Sequence, residues 1–205
     1  MDSAIIRKVE IGDATLYQGD CLKIMPLLGE FDLALIDPPY GIDAAKGKSG
    51  AMSFKGGKPV ERLYTPEKTW DNQRPPVQAF DLIRKITKRQ IIWGGNYFAD
   101  LLPAMGKWLW WDKCQTMPTY GDGEMAWTNL EGKTPKKFTY ANNKIFANRV
   151  PRYHTTQKPL PLIEWCLGLV PKAETVIDSY MGSGTTGVAC VKPVSYTHLT
   201  LPTKA

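Results

Sequence analysis

Phe31-Asp32-Leu33-Ala34-Leu35-Ile36-Asp37-Pro38-Pro39-Tyr40 opens as an apolar run holding one carboxylate and closes on two consecutive prolines. A run of this length without polar alternation predicts a strand buried on both faces, as in parallel sheets. Neither proline has an N–H for a ladder, so the strand ends at Ile36. Asp37 then stands at the carboxyl end of a strand, where open α/β sheets bind their ligands. Outward from this strand, apolar runs of strand length alternate with helix-period segments, which predicts an α/β fold. Strands are expected at residues 15–18, 90–93, 108–111, 124–127 and 175–178. Helices are expected at 22–28, across Phe80, Leu82, Ile83 and Ile86, at 160–170, and from Thr185 onward. The tryptophans read as core and sheet-edge packing.

The 205 residues suffice for one α/β domain with a full core. No apolar run is long enough to span a membrane, and the first residues lack the layout of a secretory signal. Cys21, Cys114, Cys166 and Cys190 show no Cys-x-x-Cys spacing, which argues against a zinc site and a disulfide framework. The net charge of +6 favours a polyanionic partner. Between residues 132 and 158 stand Lys133, Lys136, Lys137, Lys144, Arg149, Arg152 and Lys158, with no Asp or Glu among them. Phe138, Tyr140, Phe146 and Tyr153 are interleaved with these cations. Cations for phosphates and rings for bases make a nucleic-acid surface, whereas the plainer reading is a solvated basic loop with its rings in the core. A second basic segment holds Lys46, Lys48, Lys55, Lys58, Arg62 and Lys68 within the Gly-rich residues 41–74. A loop of that length is read as functional or disordered.

Three constellations carry chemistry. Asp37-Pro38-Pro39-Tyr40 supplies what a poorly nucleophilic aromatic amine needs. The Asp37 carboxylate and the Pro38 carbonyl accept its two N–H bonds, Pro39 supplies rigidity, and Tyr40 offers a face to an extruded base. Asp178-Ser179-Tyr180-Met181-Gly182-Ser183-Gly184-Thr185-Thr186-Gly187 follows a strand and contains G-x-G-x-x-G without the lysine of a phosphate loop. Asp178 can receive a ligand ammonium, and a helix beginning near Thr185 favours a ligand carboxylate, so an amino-acid head group suits this turn. His154-Thr155-Thr156-Gln157-Lys158-Pro159 opens a helix, with Thr156 as its cap, Pro159 in its first turn and Lys158 placed to meet a carboxylate.

In order and spacing these three segments resemble the permuted β class of DNA amino-methyltransferases. The resemblance extends to Tyr17-Gln18-Gly19-Asp20-Cys21-Leu22, Ile91-Ile92-Trp93-Gly94-Gly95-Asn96, Trp111-Asp112-Lys113 and Glu124-Met125-Ala126-Trp127-Thr128. It implies a Rossmann-like fold with a mostly parallel sheet and circularly permuted motifs, binding S-adenosyl-L-methionine. It implies methylation of the exocyclic N6 of adenine in double-stranded DNA. It places Asp37, Pro38, Pro39 and Tyr40 at the reacting amine, and Asp20 and Cys21 beside the cofactor's adenine. His154, Thr156, Gln157, Lys158, Asp178, Gly182, Gly184 and Thr185 fall at the cofactor's amino-acid end, with Asp37 adjoining and Tyr180 packing on the cofactor. Thr155 and Ser179-Tyr180 depart from the usual Pro and Pro-Phe, and Tyr180 brings a hydroxyl where a plain ring normally packs.

N4-cytosine methylation requires the same chemistry and stays open. A C5-cytosine enzyme needs a cysteine after proline, which is absent here, and glutamine methyltransferases place Asn before Pro-Pro-Tyr. Residues 1–192 read as one catalytic domain, with 41–74 and 132–152 as DNA-contacting loops. Residues 193–205 read as a non-native, adapter-like tail, so the sheet is expected to lack its last strand, which in the family ends in an acidic residue holding the ribose. Tyr196 to Leu201 have the strand character to enter that slot but carry no Asp or Glu. An inactive fragment that retains only DNA binding is the third reading. The expected setting is a bacterial or phage-type cytoplasm, without metal or membrane, and with a second copy of the chain and a cognate restriction enzyme as candidate partners.

Overall fold

Leu33, Ala34, Leu35 and Ile36 are each at most 1 % exposed, because helices cover both faces of the sheet they belong to. The computed structural model describes residues 3–44, 54–55, 58–59, 70–116, 121–141, 156–191 and 198–203. The chain runs through β1 (Ile5–Ile11), β2 (Ala14–Gly19), α1 (Cys21–Ile24), a 3-10 turn (Met25–Leu27) and β3 (Phe31–Ile36). A small hairpin, β4 (Phe54–Lys55) and β5 (Lys58–Pro59), precedes α2 (Val77–Ile86), β6 (Thr87–Trp93) and a second 3-10 turn (Gly95–Phe98). Then come β7 (Trp108–Asp112), β8 (Gly123–Thr128), β9 (Lys136–Thr139), α3 (Leu160–Gly168), β10 (Thr175–Ile177), α4 (Thr185–Val191) and β11 (His198–Thr203).

The main sheet has the order β1-β2-β11-β10-β3-β6-β8-β7-β9 and is parallel from β2 through β6. Successive residues of β3 face opposite ways, so Leu33 and Leu35 meet Leu162, Ile163 and Cys166 of α3. Ala34 and Ile36 meet Phe80 and Ile83 of α2 on the other face. Asp32 ties the amino ends of two central strands together. Its carboxylate accepts the N–H groups of Glu174 and Thr175 at 3.0 and 3.1 Å, and pairs with Lys88 at 2.8 Å. Those donors hold its pKa down to about 2, with the Lys88 hydrogen bond contributing most.

The fold is the expected α/β sheet, with local corrections. The helix expected at 22–28 is one α turn followed by a 3-10 turn, since Pro26 cannot continue an α ladder. The helix expected at 160–170 starts at Leu160 as expected and ends at Gly168. Pro159 is its N-cap rather than part of its first turn, and no side chain caps it, so Thr156 is not its cap. Two edge strands, β1 and β9, were not expected. The slot beside β2 is filled by residues of the tail, overlapping the segment 196–201 read as having strand character. Strand β11 pairs in parallel with β10 on one side and β2 on the other, with Leu199 opposite both Val176 and Ala14. No Asp or Glu occurs in this strand. The rest of the supposed tail, 193–197 and 204–205, lies outside the described residues, as do most of the basic segments at 45–69 and 142–155.

Candidate functional site

Strands β3 and β10 lie side by side and parallel, so the carboxylates that follow them, Asp37 and Asp178, emerge at the same edge. Both oxygens of Asp37 are engaged. The Tyr40 hydroxyl donates to Oδ1 at 2.7 Å, and the Lys158 ammonium donates to Oδ2 at 2.6 Å. Lys158 comes from the segment that leads into α3, and its side chain is only 7 % exposed. Burial alone would lower its pKa, but Asp37 and Glu124 together raise it above the ordinary lysine value. The structure therefore brings Lys158 to the Asp37-Pro38-Pro39-Tyr40 turn, whereas the family resemblance assigns it to the cofactor's amino-acid end.

Glu124 completes the cluster. It pairs with Lys158 at 2.9 Å and with Lys113 at 2.5 Å. Burial opposes its ionisation, and the two ammoniums overcome that and hold its pKa down to about 2. Lys113 and Glu124 meet because β7 and β8 pair in a register that sets Trp111 opposite Glu124.

The Tyr40 ring is held by its neighbours. Tyr97 stacks on it with centroids 4.8 Å apart, and Phe98 meets it edge-on at 6.1 Å. Gly94, at φ +70°, packs so closely that a Cβ there would overlap the ring. Burial raises the pKa of the Tyr40 hydroxyl, and the Asp37 charge adds to the shift. Behind the ring, the buried Asp71 accepts the N–H groups of Tyr40 and Gly41 on one oxygen and of Ala44 on the other. Three residues on, Arg74 donates to the Tyr97 carbonyl at 2.7 Å and pairs with Asp100. One short segment thus secures both stacked tyrosines. Asp71, Gly94, Tyr97, Lys113 and Glu124 are not legible as functional in the sequence. For Gly94, Lys113 and Glu124 the only sequence signal is their place in the family-like segments.

The second part of the site lies beyond β10. Asp178 is buried, and its pKa is pushed up to about 7, chiefly by desolvation. The Thr186 hydroxyl and the Tyr180 N–H donate to it and oppose that shift, while the Asp37 charge adds to it. None of these donors is a cation, so the carboxylate is suited to an ammonium ligand. Gly182 and Gly184 follow at φ +51° and +75°, with almost no atom near where their Cβ atoms would stand, so the turn has open space beside it. Ser183 and Thr185 hydroxyls bond each other at 3.0 Å. Asp20 caps α1 through Leu22 N–H at 3.0 Å, and the neighbouring Cys21 thiol lies 3.8 Å from the Tyr180 hydroxyl. Asp20, Cys21 and Tyr180 are thereby brought together. Thr156 is exposed, Gln157 is half-buried, and His154 lies outside the described residues.

Strand β9 presents exposed Lys136 and Lys137, while Phe138 turns inward. Its ring stacks on Trp165 at 5.3 Å, and Tyr140 packs against the same cluster. Those two half-buried rings pack against the core cluster, as in the plainer reading of this segment.

The family model described as DNA methylase, of N6/N4 type, matches residues 55–193. The comparison with curated proteins finds no match. Among solved structures, the complex of M1.HpyAVI with SAM is 20% identical at a TM-score of 0.56, covering 94% of this chain and 94% of that one. The PvuII DNA methyltransferase, cytosine-N4-specific, is 14% identical at a TM-score of 0.58, covering 97% of this chain and 86% of that one. At these identities the likeness is one of fold.

Proposed function

The chain belongs to the N6/N4 DNA methylase family, and from that premise we propose that it transfers a methyl group from S-adenosylmethionine to N6 of adenine in double-stranded DNA. The observation that carries this reading is the pair of carboxylates at adjacent strand ends, Asp37 beside an aromatic ring and Asp178 beside an open glycine turn. When bound, the cofactor supplies an electrophilic methyl carbon on sulfur. Asp178 fits its ammonium group, because a cation there relieves a buried carboxylate whose hydrogen-bond donors among the described residues are neutral.

Asp37 and the Pro38 carbonyl accept the two N–H bonds of the target amine. That draws the nitrogen towards tetrahedral geometry and frees its lone pair. With the methyl donor held at Asp178 and the glycine turn, the freed lone pair would be presented to the methyl carbon. The proton the nitrogen sheds would pass to the Asp37 carboxylate that already accepts its N–H, and from there to solvent. The Tyr40 ring, fixed by Gly94 and Tyr97, sets the plane of the extruded base. Exposed Lys136 and Lys137 on the edge strand support a phosphate-bearing partner.

Nucleosides from DNA treated with the protein and methyl-labelled cofactor, separated by mass spectrometry, test the reading. Labelled N6-methyladenine is the expected product. N4-methylcytosine would move the assignment to the other amine of the family, and absence of label would overturn it.

A further inference from the structure

Four charges of alternating sign run in single file through the site. Asp37, Lys158, Glu124 and Lys113 are linked at 2.6, 2.9 and 2.5 Å. The Lys158 ammonium also lies 3.3 Å from the Tyr40 hydroxyl and 5.9 Å from the centroid of the Trp93 ring. Under the reading above, on which this inference rests, Asp37 must accept an N–H bond from the target amine. Both of its oxygens already accept bonds from the protein. Each carboxylate oxygen can accept a second bond, so an arriving amine either adds to the lone pairs Asp37 has left or displaces one of these donors. The buried Lys158 ammonium can be displaced only if a second anion is at hand. Glu124 is that second anion, already in contact.

We propose that Lys158 is a positioning residue whose ammonium stands in for the target amine on Asp37, and that Glu124 draws it aside when the base arrives. Two carboxylates and two ammoniums make up the file, so a short shift of Lys158 towards Glu124 leaves the local charge balanced. Lys113 competes with Lys158 for Glu124 and so sets how readily the shift occurs. Until then the ammonium holds the Asp37 carboxylate oriented.

The test needs no knowledge of the DNA sequence recognised. In protein labelled at lysine nitrogen, the Lys158 ammonium resonance, assigned with Lys158→Met, is followed while 9-ethyladenine is added. The resonance is expected to move as the base saturates. In Glu124→Gln the ammonium loses its alternative anion, and at least about tenfold more base should be required. In Lys113→Met, Glu124 is freed of its competitor, and less base should be required. A merely structural cluster would weaken the response in both variants, so effects of the same sign overturn the proposal. A resonance that does not respond to the base overturns it as well. Should Glu124→Gln fail to fold, the direction of change in Lys113→Met decides alone. Single-turnover transfer to unmethylated genomic DNA should change with the same opposite signs. Absence of transfer by the native protein would instead count against the methyltransferase reading and leave the resonance to judge this proposal.

Discussion

The carboxylate of Asp71 accepts the backbone N–H of Tyr40 at 2.6 Å, bridging 31 positions of sequence. The same side chain holds Gly41 and Ala44, so it gathers the start of the long insertion and the turn after Pro39 onto one buried anion. Asp71→Ala is expected to lower stability by about 3 kcal/mol, since charged acceptors of this kind contribute more than neutral ones. Methyl transfer should fall further than the folded fraction alone accounts for. Urea denaturation set beside single-turnover rates measures both. Native rates in a destabilised protein would show that Asp71 braces the loop without positioning Tyr40.

Gly94→Ala carries two penalties at one position. The backbone sits at φ +70°, and the new methyl group would fall inside the Tyr40 ring. Strain and forced repacking together should cost about 2–4 kcal/mol. Because Tyr40 must move, its bond to Asp37 should be lost, and transfer should drop by at least about tenfold. A crystal structure of the variant with Tyr40 unmoved would contradict this account.

Asp178 predicts a pH dependence whose sign is unusual for a carboxylate. Its pKa of about 7 in the folded protein stands above the ordinary 3.8. Between those values the folded protein keeps a proton that the unfolded chain has lost, so stability falls as pH rises through that window. Asp178→Asn removes the dependence. It should match the native protein near pH 4 and exceed it by about 2–4 kcal/mol above pH 7, on the order expected for a shift of this size. The gain comes with a loss of cofactor affinity, since a neutral amide cannot pair with an ammonium. For the native protein, calorimetry should show S-adenosylmethionine binding strengthening as pH rises through about 7. Binding that is indifferent to pH would separate Asp178 from the cofactor's amino group.

Lys136→Ala and Lys137→Ala together should weaken DNA binding and flatten its dependence on salt. Each phosphate left without its cation changes the log–log slope by roughly 0.9. Lys137 already pairs with Asp112 at 3.4 Å, so its share should be the smaller. Asp37→Ala should do the reverse, leaving DNA affinity within about threefold while abolishing transfer. Fluorescence anisotropy over a series of salt concentrations distinguishes the two variants. A slope unchanged by the double substitution would leave strand β9 as an ordinary solvated edge.

Strand β3 was legible to the residue because its signals are local. An apolar run buried on both faces, ended by Pro38 and Pro39, admits no other boundary. The same holds for the position of Asp37, which the strand end alone sets at the carboxyl edge of the sheet. The edge strands were harder to read. In β1, Arg7, Lys8 and Glu10 interrupt the apolar pattern, and in β9 Lys136 and Lys137 resemble a loop, because charges on an edge deter pairing with other chains. Glu124 and Asp71 escaped notice for a different reason. Their partners lie across a strand register and across an insertion, and neither relation leaves a periodic trace in the chain. Phe138 shows the limit of composition: amid lysines it suggested a base-stacking face, yet it packs on Trp165.

Strand β11 has a consequence for the order of assembly. On its inner side β2 pairs with β11, so residues 14–19 are joined to the sheet's centre through residues 198–203. During synthesis the hairpin of β1 and β2 emerges first and then waits until residues 198–203 are made before this ladder can close. In that interval β2 offers unpaired N–H and C=O groups along one side. A nascent chain would carry an open template for strand addition, and the exposed Ile6 and Ile11 of β1 beside it would make the hairpin a natural client for a chaperone.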